Sequence, residues 1–286
     1  MAKLFFTAED GARLAFSDTG ADGGPSVLAL AGFTRNGRDF DYLARRLREV
    51  RLIRLDSRGR GESAWTGPAT YTIVQETRDA LALLDHLGIE RAAVIGSSRG
   101  GILGMMMVVT APHRVSGLCL NDVGPVLERA GLERIGTYVG IQPAVTTLEE
   151  IADRMPHAMP GFHNVPELRW EEETIRRYTE TGHGIALPYD PELRTAFEKA
   201  MAAPPVDAWP LFDACKDIPL ALIHGANSDV LSPAAALAMA ARRPDMIRAE
   251  VPDRGHTPFL DEPEALAAIH AWLDRCFAEQ RSDLCI

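Results

Sequence analysis

Apolar residues in this chain fall into short continuous runs, separated by stretches where they recur every three or four positions. Leu4 to Thr7 and Leu14 to Ser17 flank the turn Glu9-Asp10-Gly11 and read as a strand pair. Ser26 to Leu30 (SVLAL) is apolar throughout, as suits a parallel strand buried on both faces. Comparable runs follow at Val50 to Leu55, Ala92 to Ile95, Val115 to Leu120, Leu220 to His224 and Ile247 to Val251. Between them the period changes to that of a helix. Thr72 to Leu87 sets Ile73, Thr77, Ala80, Leu81, Leu84 and Leu87 along one face, and Gly88 stops it. Further helical patterns lie at Phe40 to Leu47, from Gly100 to Ala111, near Asp207 to Cys215, at Pro233 to Arg242 and at Pro263 to Phe277. Strands alternating with helices imply an α/β fold: a doubly wound, mostly parallel, eight-stranded sheet covered on both faces.

The rhythm changes from Asp122. The stretch 123–205 is rich in Pro, Met, His and aromatics. It has helical pieces near Thr147 to Met155, Leu168 to Thr179 and Glu192 to Met201, and no strand between them. The expected organisation is therefore a core formed by 1–122 and 206–286, with 123–205 inserted as a helical lid.

Composition narrows the function. A net charge of −10 over 286 residues, without a Lys/Arg run, argues against nucleic acid as partner. Charge and turn residues interrupt the apolar start MAKLFFTAEDGARLAF, so it does not read as a signal peptide, and no run is long enough to span a membrane. The four cysteines are scattered, without C-x-x-C spacing. The expectation is a cytoplasmic enzyme that needs no metal or cofactor, with a small molecule as partner and neither a membrane nor nucleic acid.

The candidate chemistry centres on Gly96-Ser97-Ser98-Arg99-Gly100, a G-x-S-x-G between a strand and a helix. Such a turn lifts its serine above the sheet at a helix N-terminus, where backbone amides favour negative charge. A serine needs a base, and the base needs a third group to fix its tautomer. In a doubly wound sheet these belong in loops beyond the strands' carboxyl ends. His256, in Pro252-Asp253-Arg254-Gly255-His256, is the histidine directly after a late strand. His224 ends a strand and reads as structural, His86, His113 and His270 as packing or solvated residues, and His157, His163 and His183 as lid residues. For the acid, Asp229 follows Leu220 to His224 and is the first choice. Asp122, after the preceding core strand, is the alternative, since a carboxylate there can also reach the base. Two amides would form an oxyanion hole, those of Arg99 and of Phe33 in Ala31-Gly32-Phe33. Should the reaction instead cleave a carbon–carbon bond in a substrate that is itself an acid, Arg35, Arg99 and Asn36 could bind its carboxylate; Trp170 is a candidate pocket residue.

With these parts assembled the chain resembles the α/β-hydrolase superfamily, specifically its lidded serine hydrolases, from Leu4 to about Phe277. Asp56-Ser57-Arg58-Gly59-Arg60-Gly61-Glu62-Ser63 is similar to that group's D-x-R-G-x-G-x-S turn, and Gly96 to Gly101, His224-Gly225 with Ser228-Asp229, and Gly255-His256 carry the rest. The resemblance implies a Ser98/His256/Asp229 triad with an oxyanion hole from the Phe33 and Arg99 amides. The chain departs from the pattern in three ways. Ala31-Gly32 replaces a frequent His-Gly, an H-G-G-G run is missing, and Arg99 follows the nucleophile. The implied activity is hydrolysis of a small carboxylic ester or lactone through an acyl-enzyme. The alternatives are carbon–carbon bond hydrolysis of a meta-cleavage-type diketone acid, and a ligand-binding receptor on the same fold.

Overall fold

Residues 3–20, 23–182 and 184–278 are described by the structure, a computed structural model; His183 lies outside them. In chain order the strands are β1 (Leu4–Thr7), β2 (Arg13–Gly20), β3 (Ser26–Leu30), β4 (Arg51–Leu55), β5 (Ala92–Ser97), β6 (Val115–Asn121), β7 (Thr179–Thr181), β8 (Gly184–Ala186), β9 (Leu220–Gly225) and β10 (Ile247–Val251). Eight of them pair in the order β1-β2-β4-β3-β5-β6-β9-β10, and β7 and β8 form a separate hairpin. The β1–β2 and β2–β4 pairs are antiparallel. The pairs from β4 through β3, β5, β6 and β9 to β10 are parallel. Each apolar run expected to be a sheet strand is one.

The helices are α1 (Asp41–Ala44), α2 (Ile73–His86), α3 (Arg99–Thr110), α4 (Arg129–Gly136), α5 (Leu148–Ala158), α6 (Glu167–Arg177), α7 (Leu193–Ala202), α8 (Trp209–Asp213), α9 (Pro233–Arg242) and α10 (Pro263–Cys276). Thr72 caps α2 by accepting from the Gln75 amide, and Gly88 ends the turn after it at φ +64°. The period-2 alternation of the strands divides the core. Leu28, Leu30 and Val94 pack with Leu83, Leu84 and Leu103 of α2 and α3. Val27, Ala29, Ala93 and Ile95 pack on the other side with Phe40, Ile269 and Trp272. Strands buried on both faces cannot alternate apolar with polar, which is why their sequences are continuous apolar runs.

Between β6 and α8 the chain forms α4 to α7 and the β7–β8 hairpin. The sequence pattern locates α5, α6 and α7 but misses the hairpin and α4. Thr179, Glu180 and Thr181 are all exposed, so β7 has no apolar face to advertise itself. Helix α4 buries only Gly131 and Ile135, too sparse a pattern to read as a helical stripe. Ile151, Met155, Phe162 and Trp170 form a small apolar cluster of their own, closed by Phe259 from the sheet's C-terminal side.

The start of α3 lies hard against β3. A Cβ on Gly100 would sit 1.9 Å from the Leu30 carbonyl oxygen, and one on Gly96 would sit 2.4 Å from the Gly100 backbone. Backbone cannot yield to such overlap, so the strand–turn–helix closes only with glycine at both positions. Gly100→Ala should therefore destabilise the fold by about 3 kcal/mol or more. Gly182→Ala, where a Cβ meets nothing within 4 Å, should leave the thermal midpoint within about 1 °C. Equal melting temperatures for the two variants would refute the close-packing account.

Candidate active site

The turn between β5 and α3 holds Ser98 at φ +51° and ψ −120°, a conformation that side-chain-bearing residues rarely adopt. The strain is sustained by neighbours on both sides: the Ser98 amide donates to the Asn121 carbonyl at 2.9 Å, and its carbonyl accepts from the Gly101 amide at 2.9 Å. The side chain is thereby fixed over the sheet's C-terminal edge. His256 arrives from the loop after β10, and its Nε2 lies 2.8 Å from Ser98 Oγ.

On the far side of the imidazole stands Asp122. Its Oδ2 lies 2.7 Å from His256 Nδ1. The carboxylate is fully buried and the residue sits at φ +55°, just past the end of β6. Its Oδ1 accepts from the Gly225 amide at 2.9 Å, and Oδ2 also accepts from Ser228 Oγ at 2.6 Å. A buried carboxylate is stable only when its lone pairs are met, and here three donors meet them. Such a chain can orient an imidazole with Nδ1 protonated and Nε2 free to take the serine proton.

This corrects the choice between the two acids. Asp229 does not touch His256; both its oxygens are engaged by the Arg134 guanidinium of α4, Arg134 Nη2 to Oδ1 at 2.9 Å and Nε to Oδ2. Partial burial pushes the Asp229 carboxyl up, but its hydrogen bonds to Arg134 and that residue's charge outweigh burial and hold it below the usual carboxylate range. The β9 loop does support the imidazole, through Ser228 rather than Asp229. Ser228 Oγ takes the Val230 and Leu231 amides, at 3.2 and 3.1 Å, and hands its own hydrogen to Asp122.

The candidate oxyanion loop lies beside the nucleophile: a Cβ on Gly32 would be 3.7 Å from Ser98 Cβ. Phe33 lines the same cleft as Ser98 and His256. The Arg99 amide is at the first position of α3, where a helix leaves its N–H groups without intrahelical partners. The Arg99 side chain, unexplained by sequence, belongs to a buried ionic cluster. Its Nη2 and Nε bind Glu76 at 2.7 and 3.1 Å, and Nη2 also reaches the Tyr71 carbonyl at 3.1 Å. Arg60, almost fully buried, shares Glu76 at 3.2 Å and donates Nε to the Phe33 carbonyl at 2.7 Å. Both guanidiniums lie against the Phe33 ring, 5.1 and 5.2 Å from its centroid. Two arginines on one glutamate thus hold the Phe33 carbonyl and ring beside the cleft. No sequence signal links positions 60, 76 and 99; only folding brings them together.

The cleft, of about 380 Å³, is bounded by the β3 loop, α4 and the end of α6. Arg35 lines it, as expected. Asn36 and Trp170 do not, and both expectations are corrected. Asn36 is buried, and its Oδ1 accepts from the Arg38 amide to cap the turn that follows. Trp170 is consumed by packing on Phe162 and Phe259, and it borders a separate outer groove together with His157 and His163. Missed by sequence is Arg177, which lines the cleft with Arg35 and with Tyr138 and Tyr178, two of the aromatics that suggest a pocket in the sequence. His224 is structural, its Nε2 against the Leu231 carbonyl at 2.9 Å. Among the described residues no cluster of His, Cys, Asp or Glu could hold a metal, and no helix is long and apolar enough to cross a membrane.

Residues 27–269 match the model of the alpha/beta hydrolase family. The chain is 34% identical over 266 residues to the 3-hydroxybutyrate-oligomer hydrolase of Cupriavidus necator, covering 89% of this chain and 90% of that protein. An alpha/beta hydrolase of Novosphingobium aromaticivorans, known from its crystal structure, is similar at a TM-score of 0.90 and 39% identity, covering 96% of this chain and 98% of that one. A thermophilic esterase from Thermogutta terrifontis, with malate bound, gives a TM-score of 0.73 at 27% identity, over 96% and 99% of the two chains.

Glu76 tests the ionic cluster. Burial pushes its carboxyl up, but the Arg60 and Arg99 charges outweigh burial and hold it below the ordinary 4.5. Its stabilisation is therefore present above about pH 4.5 and lost as the pH falls through the lower folded value. Glu76→Gln leaves two guanidiniums without an anion and should cost about 3–5 kcal/mol at neutral pH. Glu133→Gln, which breaks an exposed pair with Arg129, should cost about 0.5 kcal/mol or less. Urea midpoints measure both, and a Glu76 variant as stable as the Glu133 variant contradicts the clamp.

Proposed function

The chain belongs to the alpha/beta hydrolase family, and from that premise we propose that it is a serine hydrolase of small carboxylic esters. Ser98 is the nucleophile, His256 the base and Asp122 the acid that orients it. The observation that carries the reading is the unbroken line from Ser98 Oγ to His256 Nε2 and from His256 Nδ1 to Asp122 Oδ2, with both links under 3 Å. Proton transfer along it needs no rearrangement of the protein.

In the proposed reaction Ser98 Oγ adds to the ester carbonyl carbon as its proton passes to His256 Nε2. The Phe33 and Arg99 amides take the negative charge that develops on the carbonyl oxygen. His256 then gives the proton to the departing alkoxide, leaving the acyl group on Ser98. Water repeats the sequence: His256 takes its proton, the hydroxide adds to the acyl carbon, and Ser98 leaves with the proton returned. Asp122 stays ionised throughout and stabilises the imidazolium. The relation to a 3-hydroxybutyrate-oligomer hydrolase along nearly the whole length supports esters of hydroxy acids as the substrates to try first.

Ser98→Ala should abolish turnover and stoichiometric labelling by a fluorophosphonate. Asp122→Asn should lower kcat by about 10⁴-fold while leaving the fold intact, and Asp229→Asn should lower it less than about tenfold. The reverse order of the two aspartate variants would return the acid role to Asp229. Within a panel of p-nitrophenyl esters, lactones, hydroxy-acid esters and a meta-cleavage dienoate, fastest turnover of the dienoate would replace ester hydrolysis with carbon–carbon bond cleavage.

A further inference from the structure

The cleft is lined by two guanidiniums that the proposed steps of ester hydrolysis do not use. Arg35 and Arg177 both line it, one from the β3 loop and one from the end of α6. They are tied together by Glu173, whose Oε2 accepts from Arg35 Nη2 at 3.3 Å and from Arg177 Nη2 and Nε at 3.0 and 3.2 Å. Glu173 is 3% exposed and does not line the cleft itself. Asp39, which does line it, has both oxygens occupied by Arg35, at 2.5 and 2.8 Å. The carboxylates that hold the guanidiniums in place are thus turned away or used up, and the cleft meets the cations.

Both guanidiniums keep donors that the protein does not fully use. Arg35 Nη1 is buried and has no acceptor among the described residues, so the guanidinium still has hydrogens to give. Arg177 Nη1 meets only the Met159 sulfur, at 3.3 Å, a weak acceptor that a carboxylate oxygen outbids. Tyr138 and Tyr178 line the same cleft beside the two arginines. The site is also close to the reacting atoms. A Cβ on Gly32 would lie 3.4 Å from Arg35 Cγ and 3.7 Å from Ser98 Cβ, so the arginine stem and the nucleophile flank the same glycine.

We propose that Arg35 and Arg177 form a carboxylate subsite, and that the substrate is an ester carrying a free carboxylate a few bonds from the scissile carbonyl, as in the terminal unit of a hydroxy-acid ester. The proposal rests on the ester-hydrolase reading above and adds the charge of the substrate to it. A neutral ester gives the Arg35 and Arg177 guanidiniums no anion on the cleft side; an ester with a free carboxylate does. Asp39 and Glu173 keep both guanidiniums charged and in place before substrate arrives, so little ordering remains for binding to supply.

The test compares one bond in two charge states: the acetyl ester of 3-hydroxybutyrate, as the free acid and as its methyl ester, with acetate release followed by chromatography. The wild-type protein should favour the free acid by about tenfold or more in kcat/KM, the worth of one charged hydrogen bond. Arg177→Gln and Arg35→Gln should each lower that acid-to-methyl-ester ratio at least about fivefold, with Arg177→Lys retaining part of it. Binding is read separately, by calorimetry of 3-hydroxybutyrate with Ser98→Ala protein and with the Ser98→Ala/Arg177→Gln double variant. Binding that weakens about fivefold or more in the double variant supports the subsite even if neither ester is turned over, an outcome that removes only the ester-hydrolase reading. Equal turnover of the two esters by wild type, or equal loss of both in the arginine variants, overturns the subsite and leaves Ser98-dependent hydrolysis standing.

Discussion

The imidazole of His256 is the point on which the cleft depends, and its position is set by a carboxylate that serves several masters. Asp122 holds His256 Nδ1, the Gly225 amide and Ser228 Oγ at once. Those three donors come from the loop after β10, the end of β9 and the loop after it. One buried charge therefore fastens three neighbouring loops at the sheet's carboxyl edge. The loops cannot drift independently without leaving a buried anion short of a partner, which costs far more than any single neutral hydrogen bond returns. Precision in the Ser98–His256 contact is inherited from that constraint.

A second buried anion organises the opposite side of the nucleophile in the same manner. Glu76 on α2 collects Arg60 from the β4 turn and Arg99 from the start of α3. Through Arg60 it reaches the Phe33 carbonyl, and through both rings of charge it reaches the Phe33 side chain. A loop that must present an amide to a developing oxyanion has to be rigid, yet a loop has few backbone bonds of its own. Fixing its carbonyl with a buried guanidinium supplies that rigidity. The replacement of the usual residue after the serine by Arg99 thereby acquires a physical reason. It adds a second guanidinium to Glu76 and a second cation against the Phe33 ring.

Most of the sheet was legible because the strands are buried on both faces, and burial on both faces writes itself as runs such as SVLAL. The serine and the histidine were legible because glycine spacing and strand ends restrict where a nucleophile and a base can stand. The acid was not. Asp122 and Asp229 both follow core strands, and which one reaches His256 depends on the direction of one Cα–Cβ bond at φ +55° and on Arg134, a residue of the insertion that captures the competitor. Sequence carries neither fact. Asn36 and Trp170 failed for a related reason. Residue type announces what a side chain can bind, while burial decides whether anything is left to bind. Asn36 spends its oxygen on a turn, and Trp170 spends its face on Phe162 and Phe259.

The junction between the insertion and the sheet differs in kind from the core beneath it. It combines an apolar cluster of Tyr71, Ile135, Val139, Tyr189, Leu193 and Val230, and the Phe162 and Trp170 rings on Phe259, with ion pairs of Arg134 to Asp229, Arg169 to Asp261 and Arg35 to Glu173. Partly exposed pairs of this kind contribute about 1 kcal/mol or less each. The sheet faces, by contrast, bury whole ranks of aliphatic side chains. Arg35 of the β3 loop and Arg177 of α6 both line the cleft and meet on Glu173, so the cleft's guanidiniums also tie the segment between β6 and α8 to the sheet.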